Sequence, residues 1–153
     1  MRLAEYTDYA LRVLMHCAAR PGERVTIGAL AEHHALSRNH LMKIVTDLAR
    51  LGLLETTRGR GGGLRLLRDP ATLRVGDVVR ACETDFRLVE CFDTAGSTCR
   101  LRPDCRLKGL LDTALRAWFD ALDSMTLADL VGPAPVALPG GAGSPAPVPL
   151  RLR

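Results

Sequence analysis

Ser37-Arg38-Asn39-His40-Leu41-Met42-Lys43-Ile44-Val45-Thr46-Asp47-Leu48-Ala49-Arg50-Leu51 decides the fold. Leu41, Ile44, Val45 and Leu48 recur at i, i+3, i+4 and i+7, the apolar stripe of an amphipathic helix. Ser37 is placed to cap its start and Gly52 to end it. The outward face carries Arg38, Asn39, His40, Met42, Lys43, Thr46 and Asp47. Long donors on the positive end of a helix suit phosphates and base edges. Upstream, Thr26 opens a short helix from Ile27 to His34, and Ala35-Leu36 is a tight turn. Before that, residues 7 to 20 read as a helix capped by Thr7, with Leu11, Leu14, Met15 and Ala18 at helical spacing and Pro21-Gly22 as its stop. Downstream, Leu53 to Thr57 and Leu64 to Leu67 read as short strands around Arg58-Gly59-Arg60-Gly61-Gly62-Gly63. A nucleotide-binding loop would need a Gly-Lys-Ser/Thr ending and a helix starting at the glycines, and both are missing. Three helices followed by a basic glycine-rich hairpin predict a winged helix-turn-helix, a mostly α fold with a small β-wing. Arg58 and Arg60 are placed to reach phosphates or a minor groove.

Working outward, residues 73 to 83 predict a further short helix with Leu73, Val75, Val78 and Val79 inward. A polar loop follows, from about Phe86 to Cys105. A long helix then runs from Arg106 to Met125. Leu111, Ala114, Trp118, Ala121 and Met125 step along it by 3 and 4, flanked by Leu115, Phe119 and Leu122. Little of the chain remains to cover so broad a seam. It is read as a C-terminal dimerisation helix, against the simpler possibility of internal packing. Thr126 to Val131 is a capped terminal turn. From Gly132 onward, ten of 22 residues are Pro or Gly, a composition expected to stay disordered. The expected organisation is a DNA-binding domain over 1–83, a loop and dimerisation helix over 84–131, and a Pro/Gly-rich tail over 132–153.

The 153-residue chain has a net charge of +4, placed unevenly. Residues 1–80 hold thirteen Lys/Arg against eight Asp/Glu, and residues 81–153 hold eight against nine. Seven basic and two acidic residues lie between Ser37 and Arg68, the concentrated stripe that a polyanion such as double-stranded DNA requires. No apolar run approaches about 20 residues, so no membrane span is expected. Met1 to Ala10 lacks an apolar h-region, so no secretory signal is expected either. The expected compartment is the reducing cytoplasm. There, an odd count of five cysteines points to free thiols or metal ligands rather than a disulfide framework.

Cys91, Cys99 and Cys105 share the polar loop at the spacing Cys-x7-Cys-x5-Cys. Clustered soft thiolates suit an iron–sulfur cluster. Structural zinc is the rival, but zinc knuckles usually show a Cys-x2-4-Cys pair, and the chain has none. Three thiolates leave one ligand missing. Cys17 lies in the apolar stretch of the first helix, as expected of a core residue. Cys82 ends the short helix ahead of the loop.

Several of these segments, in this order, carry a resemblance. Thr7-Asp8-Tyr9-Ala10-Leu11-Arg12, Ser37 to Ile44, Arg58-Gly59-Arg60 with Gly62-Gly63, Gly76-Asp77-Val78-Val79-Arg80, the three cysteines, Cys105-Arg106-Leu107-Lys108 and Thr126 to Val131 resemble the NsrR group of nitric-oxide-sensing repressors. That group belongs to the winged-helix iron–sulfur regulators that also include IscR and RirA. The resemblance covers roughly residues 1–131. It implies a homodimer on a palindromic operator, with one iron–sulfur cluster per subunit, of 4Fe–4S more than 2Fe–2S type. It implies nitric oxide as the signal and repression as the output. It also implies that Asp8 reaches the cluster of the partner subunit as fourth ligand. An IscR-like histidine three residues after the last cysteine is replaced here by Lys108. His33, His34, Glu90, Asp93 and Asp104 are the weaker candidates for that ligand. The implied DNA contacts are Thr26, Ser37, Arg38, Asn39, His40, Lys43, Arg58 and Arg60. An iron- or cluster-status sensor of the same family is the nearest alternative. A zinc-stabilised DNA-binding module and an iron–sulfur electron carrier are more distant ones. No nucleophile–base constellation marks an enzyme.

Overall fold

The computed structural model describes residues 2–93, 96–100 and 105–133. The tail beyond Pro133 and the candidate ligand Asp104 lie outside the described residues. In chain order the elements are α1 (Glu5–Ala18), α2 (Ile27–His34), α3 (Arg38–Arg50), β1 (Leu54–Thr57), β2 (Gly63–Leu66), α4 (Val75–Cys82), α5 (Arg106–Asp123) and α6 (Leu127–Val131). Single 3-10 turns at Pro70–Thr72 and Glu90–Phe92 punctuate the connections.

The predicted stripe of α3 is its buried face. Leu41, Ile44, Val45 and Leu48 are all in the core, with Val13, Leu14, Leu30, Leu64 and Leu127. Each fully buried leucine contributes about 1.5–3 kcal/mol relative to exposure. Leu127 belongs to the same core as α1, so α6 folds back against the head of the molecule. Its cap is reciprocal. Thr126 Oγ1 accepts from the Asp129 amide, and the Asp129 carboxylate accepts from the Thr126 amide.

The first helix differs from its expected start. It begins at Glu5, with Ala4 at the N-cap. Thr7 is therefore inside the helix and fully buried, and its hydroxyl donates to Glu83 Oε2 at 2.9 Å. The same carboxylate oxygen accepts from the Ala4 amide at 2.9 Å. An acid from the far end of α4 thus does the work that a capping hydroxyl was expected to do.

The wing is a two-stranded antiparallel ribbon with Leu54 opposite Leu66 and Thr57 opposite Gly63. Val25 pairs with Leu64 through two backbone bonds of 2.8 and 2.9 Å, which lays the start of the helix-turn-helix along the ribbon. Arg24 and Arg65 both hold Glu55.

The apolar seam of α5 is divided. Trp118, Phe119 and Leu122 pack within the chain against Val75, Val79, Met125 and Phe86. The Arg80 guanidinium grips Asp123 through two bonds of 2.7 and 2.6 Å and lies over the Phe119 ring. This pairing holds the Asp123 carboxyl below its ordinary pKa. It also explains Gly76: a Cβ there would overlap Asp123 Oδ1 and break the clamp. Toward its N-terminus, α5 leaves Leu107 and Leu110 more than half exposed.

Candidate nucleic-acid interface and cysteine loop

The turn between α2 and α3 places α3 across the head. Ala35 adopts left-handed φ of +53°, and the Leu36 amide donates to Ala31 O at 3.0 Å. Thr26 caps α2 by accepting from the Ala29 amide at 3.1 Å. Ser37 occupies the N-cap of α3, but its side chain makes no capping bond. Ser37 is exposed, as are its neighbours Arg38, Asn39, His40 and Lys43. Arg38 extends back across the first turn of α2, where a Cβ on Gly28 would lie 3.6 Å from Nη2. Thr26, Gly28 and Arg38 therefore form one corner, which the sequence reading did not join together. Asp47 does not belong to the outward face. It is half-buried, accepting from the Tyr6 hydroxyl and Arg50 at 3.3 Å each. Burial, with Asp47 alongside, pushes the Tyr6 phenol up to about 12.

At the wing tip, Gly59 and Gly61 have φ of +94° and +77°. Gly62 is required for a different reason: a Cβ there would sit 2.4 Å from the Thr57 carbonyl oxygen. This tight turn presents Arg58 and Arg60 to solvent. Between wing and α3 lies a groove of about 690 Å³ lined by Thr26, Met42, Thr46, Arg58 and others. Among the described residues no carboxylate pairs with Arg38, Lys43, Arg58 or Arg60, whereas Arg12, Arg24, Arg50 and Arg65 are all paired. A cation without an internal partner keeps its charge available to an external anion.

The cysteine loop begins at Glu83, whose bonds to Ala4 and Thr7 tie it to the start of α1. Cys91 is buried in the 3-10 turn, and Cys99 and Cys105 are half-buried. Cys105 is also the N-cap of α5. Two candidate acids are engaged in folding the loop. Glu90 Oε1 accepts from the Thr98 amide and hydroxyl at 2.6 and 2.9 Å, which lowers its pKa. Asp93 accepts from Arg87 at 3.0 Å and from the Gly96 amide at 3.2 Å. Cys17 and Cys82 are core thiols, and burial pushes each up to about 11. They stay protonated near neutral pH, unlike a ligating thiolate.

The three loop thiols are soft donors of the right chemistry for an iron–sulfur cluster on one segment, Cys91 buried and Cys99 and Cys105 half-buried. Among the described residues their sulfurs do not come together as one metal-sized group, with or without a fourth ligand. Asp8 lies on the first turn of α1, half exposed, with Arg12 on both carboxylate oxygens at 3.0 and 2.7 Å. The one close group of metal-ligating side chains among the described residues is His16, His33 and His34. It draws in two of the weaker candidates, and His16, which the sequence reading passed over, completes it. No helix among the described residues is long and apolar enough to cross a membrane.

Comparison with known proteins agrees with this architecture. Residues 3–133 match the Rrf2 family, iron-dependent transcriptional regulators. The HTH-type transcriptional regulator NsrR of Bacillus subtilis (strain 168) is 52% identical over 132 residues, covering 86% of this chain and 90% of that protein. The NsrR of Geobacillus kaustophilus is 48% identical over the same coverage. Among solved structures, CymR, the global cysteine regulator of B. subtilis, superposes with a TM-score of 0.73 at 25% identity, covering 86% of this chain and 96% of that one. IscR of T. potens gives 0.70 at 24% identity and 86% of both chains. The winged head, the unpaired cations on α3 and the wing, and relatives at this level of identity together place the chain in the Rrf2 family of transcriptional regulators.

Proposed function

We propose that this regulator is a homodimeric repressor that binds a palindromic operator while its cysteine loop carries an iron–sulfur cluster, and that nitric oxide releases it from DNA. The observation that carries this reading is the loop itself. It holds Cys91, Cys99 and Cys105 on one segment, and Glu83 at its start bonds the first turn of α1 beside the DNA-binding head. Loop and head therefore share a mechanical joint.

Cys91, Cys99 and Cys105 would hold the cluster, one per subunit and of 4Fe–4S type. When bound, the cluster supplies iron that reacts with nitric oxide. Asp8 of the partner subunit would complete the ligand set, exchanging its grip on Arg12 for iron. The part of the α5 seam outside the internal packing, Leu111, Ala114 and Ala121, would form the dimer interface, beside the exposed Leu107 and Leu110. The functional division would be 1–83 for DNA, 84–131 for loop and dimerisation, and 132–153 for a tail outside both. Arg38, Asn39, His40 and Lys43 would meet the major groove, Thr26 and Ser37 its phosphates, and Arg58 and Arg60 the backbone or minor groove. Because the coupling is reciprocal, operator DNA must favour the loaded form as much as loading favours DNA.

The resemblance of the sequence motifs to the NsrR group implies nitric oxide as the signal. The iron-dependent description of the family supports a second reading, an iron-status sensor. Anaerobic purification tests the shared premise. The protein should be brown, carry iron and acid-labile sulfide together, and retard operator DNA. A colourless zinc protein that binds the operator equally well contradicts both readings. Release of DNA on iron chelation with no nitric oxide present selects the second.

Asp8 allows a sharper check. Asp8→Ala should keep the three thiolates and a cluster with altered absorbance, while weakening the coupling between nitric oxide and DNA release. A carboxylate is a harder ligand than a thiolate, so this corner is the exchangeable one. In heterodimers with one Asp8→Ala chain, the altered cluster should lie in the unmutated subunit. An altered cluster in the mutated chain rules out the cross-subunit arrangement.

A further inference from the structure

His16 ends α1, and His33 and His34 end α2. Their ring centroids lie 4.8, 5.3 and 4.7 Å apart, with the planes steeply inclined. One nitrogen from each ring can be chosen so that all three lie within 4.8 Å of one another. His16 is buried, His34 half-buried and His33 exposed. Nε2 of His34 is buried with no hydrogen-bond partner among the described residues, which is an unfavourable state for a polar nitrogen. Three imidazoles thus converge, one with an orphaned buried nitrogen and one open to solvent, a donor set of the kind that can hold a metal ion.

We propose that His16, His33 and His34 bind a late first-row divalent ion of the zinc, cobalt and nickel class, clasping α2 to α1 inside the DNA-binding head and apart from the cysteine loop. Imidazole suits these ions and not the hard calcium or magnesium ions. A tetrahedral ion with bonds of about 2.0–2.1 Å brings its nitrogens to roughly 3.3 Å of one another. The nitrogens must close by at most about 1.5 Å, through side-chain rotation at exposed His33 and half-buried His34. The fourth position stays open to water.

The electrostatics are mixed. Arg12 and Arg20 flank the cluster and oppose a dication. Against them, both helices turn their negative C-terminal ends toward the rings. Burial, with help from these cations, holds His16 down at about 4 and lowers His34 as well. Near neutral pH His16 and His34 are therefore uncharged, the form that coordinates. An ion here would fix α2, whose first turn carries the Thr26, Gly28 and Arg38 corner.

The test is Co2+ titration of the full-length chain, beside His33→Ala, the His33→Ala/His34→Ala pair, and Cys91→Ala/Cys99→Ala/Cys105→Ala. His33 is exposed, so its variant should fold normally, which thermal melting of the metal-free protein checks. The wild type should take one Co2+ per chain at a nitrogen site. The visible bands should be those of tetrahedral cobalt, with no sulfur-to-cobalt charge transfer assigned to that equivalent. Tm should rise by roughly 5–10 °C at a hundredfold excess over Kd. His33→Ala should weaken binding by about tenfold or more, and the double variant should abolish it. The cysteine variant should keep it, even though any cluster is lost. Unchanged binding in the double histidine variant overturns the proposal, as does loss of the site in the cysteine variant or no saturable binding at all. Failure of the cluster reading would show in iron content and leave this titration untouched.

Discussion

Replacing any one of Cys91, Cys99 or Cys105 with Ala is expected to remove iron from the anaerobically purified protein and with it high-affinity operator binding. Two thiolates and a carboxylate do not hold an iron–sulfur cluster that normally takes four thiolates. Cys17→Ala and Cys82→Ala should keep iron, because those thiols lie in the core and burial holds them protonated. Their effect should fall on stability instead, at about 1 kcal/mol each for a small buried side chain shortened by one atom. Iron per chain, measured beside a thermal melt, separates the two classes. An unchanged iron content in Cys99→Ala ends the assignment of the loop.

The second large effect concerns DNA. Lys43 and Asn39 project from the outward face of α3, and truncation of a base-reading side chain there should cost about 1–3 kcal/mol and relax specificity at one operator position. Arg60 stands at the wing tip with no carboxylate partner among the described residues. Arg60→Ala should weaken all sequences alike and reduce the slope of log affinity against log salt by about 1. Gel shifts on the operator and on single-base variants, repeated across salt, distinguish the two behaviours. If Arg60→Ala binds as tightly as wild type at every salt concentration, the wing does not touch the DNA.

Local pattern carried the reading furthest in the head. The period of Leu41, Ile44, Val45 and Leu48 and the glycines of the hairpin are local signals, and each element formed where they placed it. What escaped depends on contacts distant in the chain. Thr7 looked like a cap, yet its hydroxyl bonds Glu83, 76 residues away. Asp47 sat on the outward face by periodicity but turns to Tyr6, 41 residues away. The seam of α5 reads as one surface from Leu111 to Met125, whereas Trp118, Phe119, Leu122 and Met125 are drawn into the chain beside Phe86 and the Arg80–Asp123 clamp, and Ala114 and Ala121 stay exposed. His16 had no signal of its own, because only the convergence of two helix ends brings it to His33 and His34. For the cysteine loop, spacing named the three thiols and the chemistry they suit. A ligand supplied by a second subunit cannot be read from one chain's periodicity, so Asp8 rests on resemblance.

The most direct measurement is a nitric-oxide titration of the anaerobically purified, cluster-loaded dimer on operator DNA, following visible absorbance and bound DNA in the same samples. Loss of the cluster absorbance and release of DNA should track each other with added nitric oxide, and the cysteine-free loop variant should show neither response. DNA that stays bound after the absorbance is fully lost would contradict the proposed coupling between loop and head.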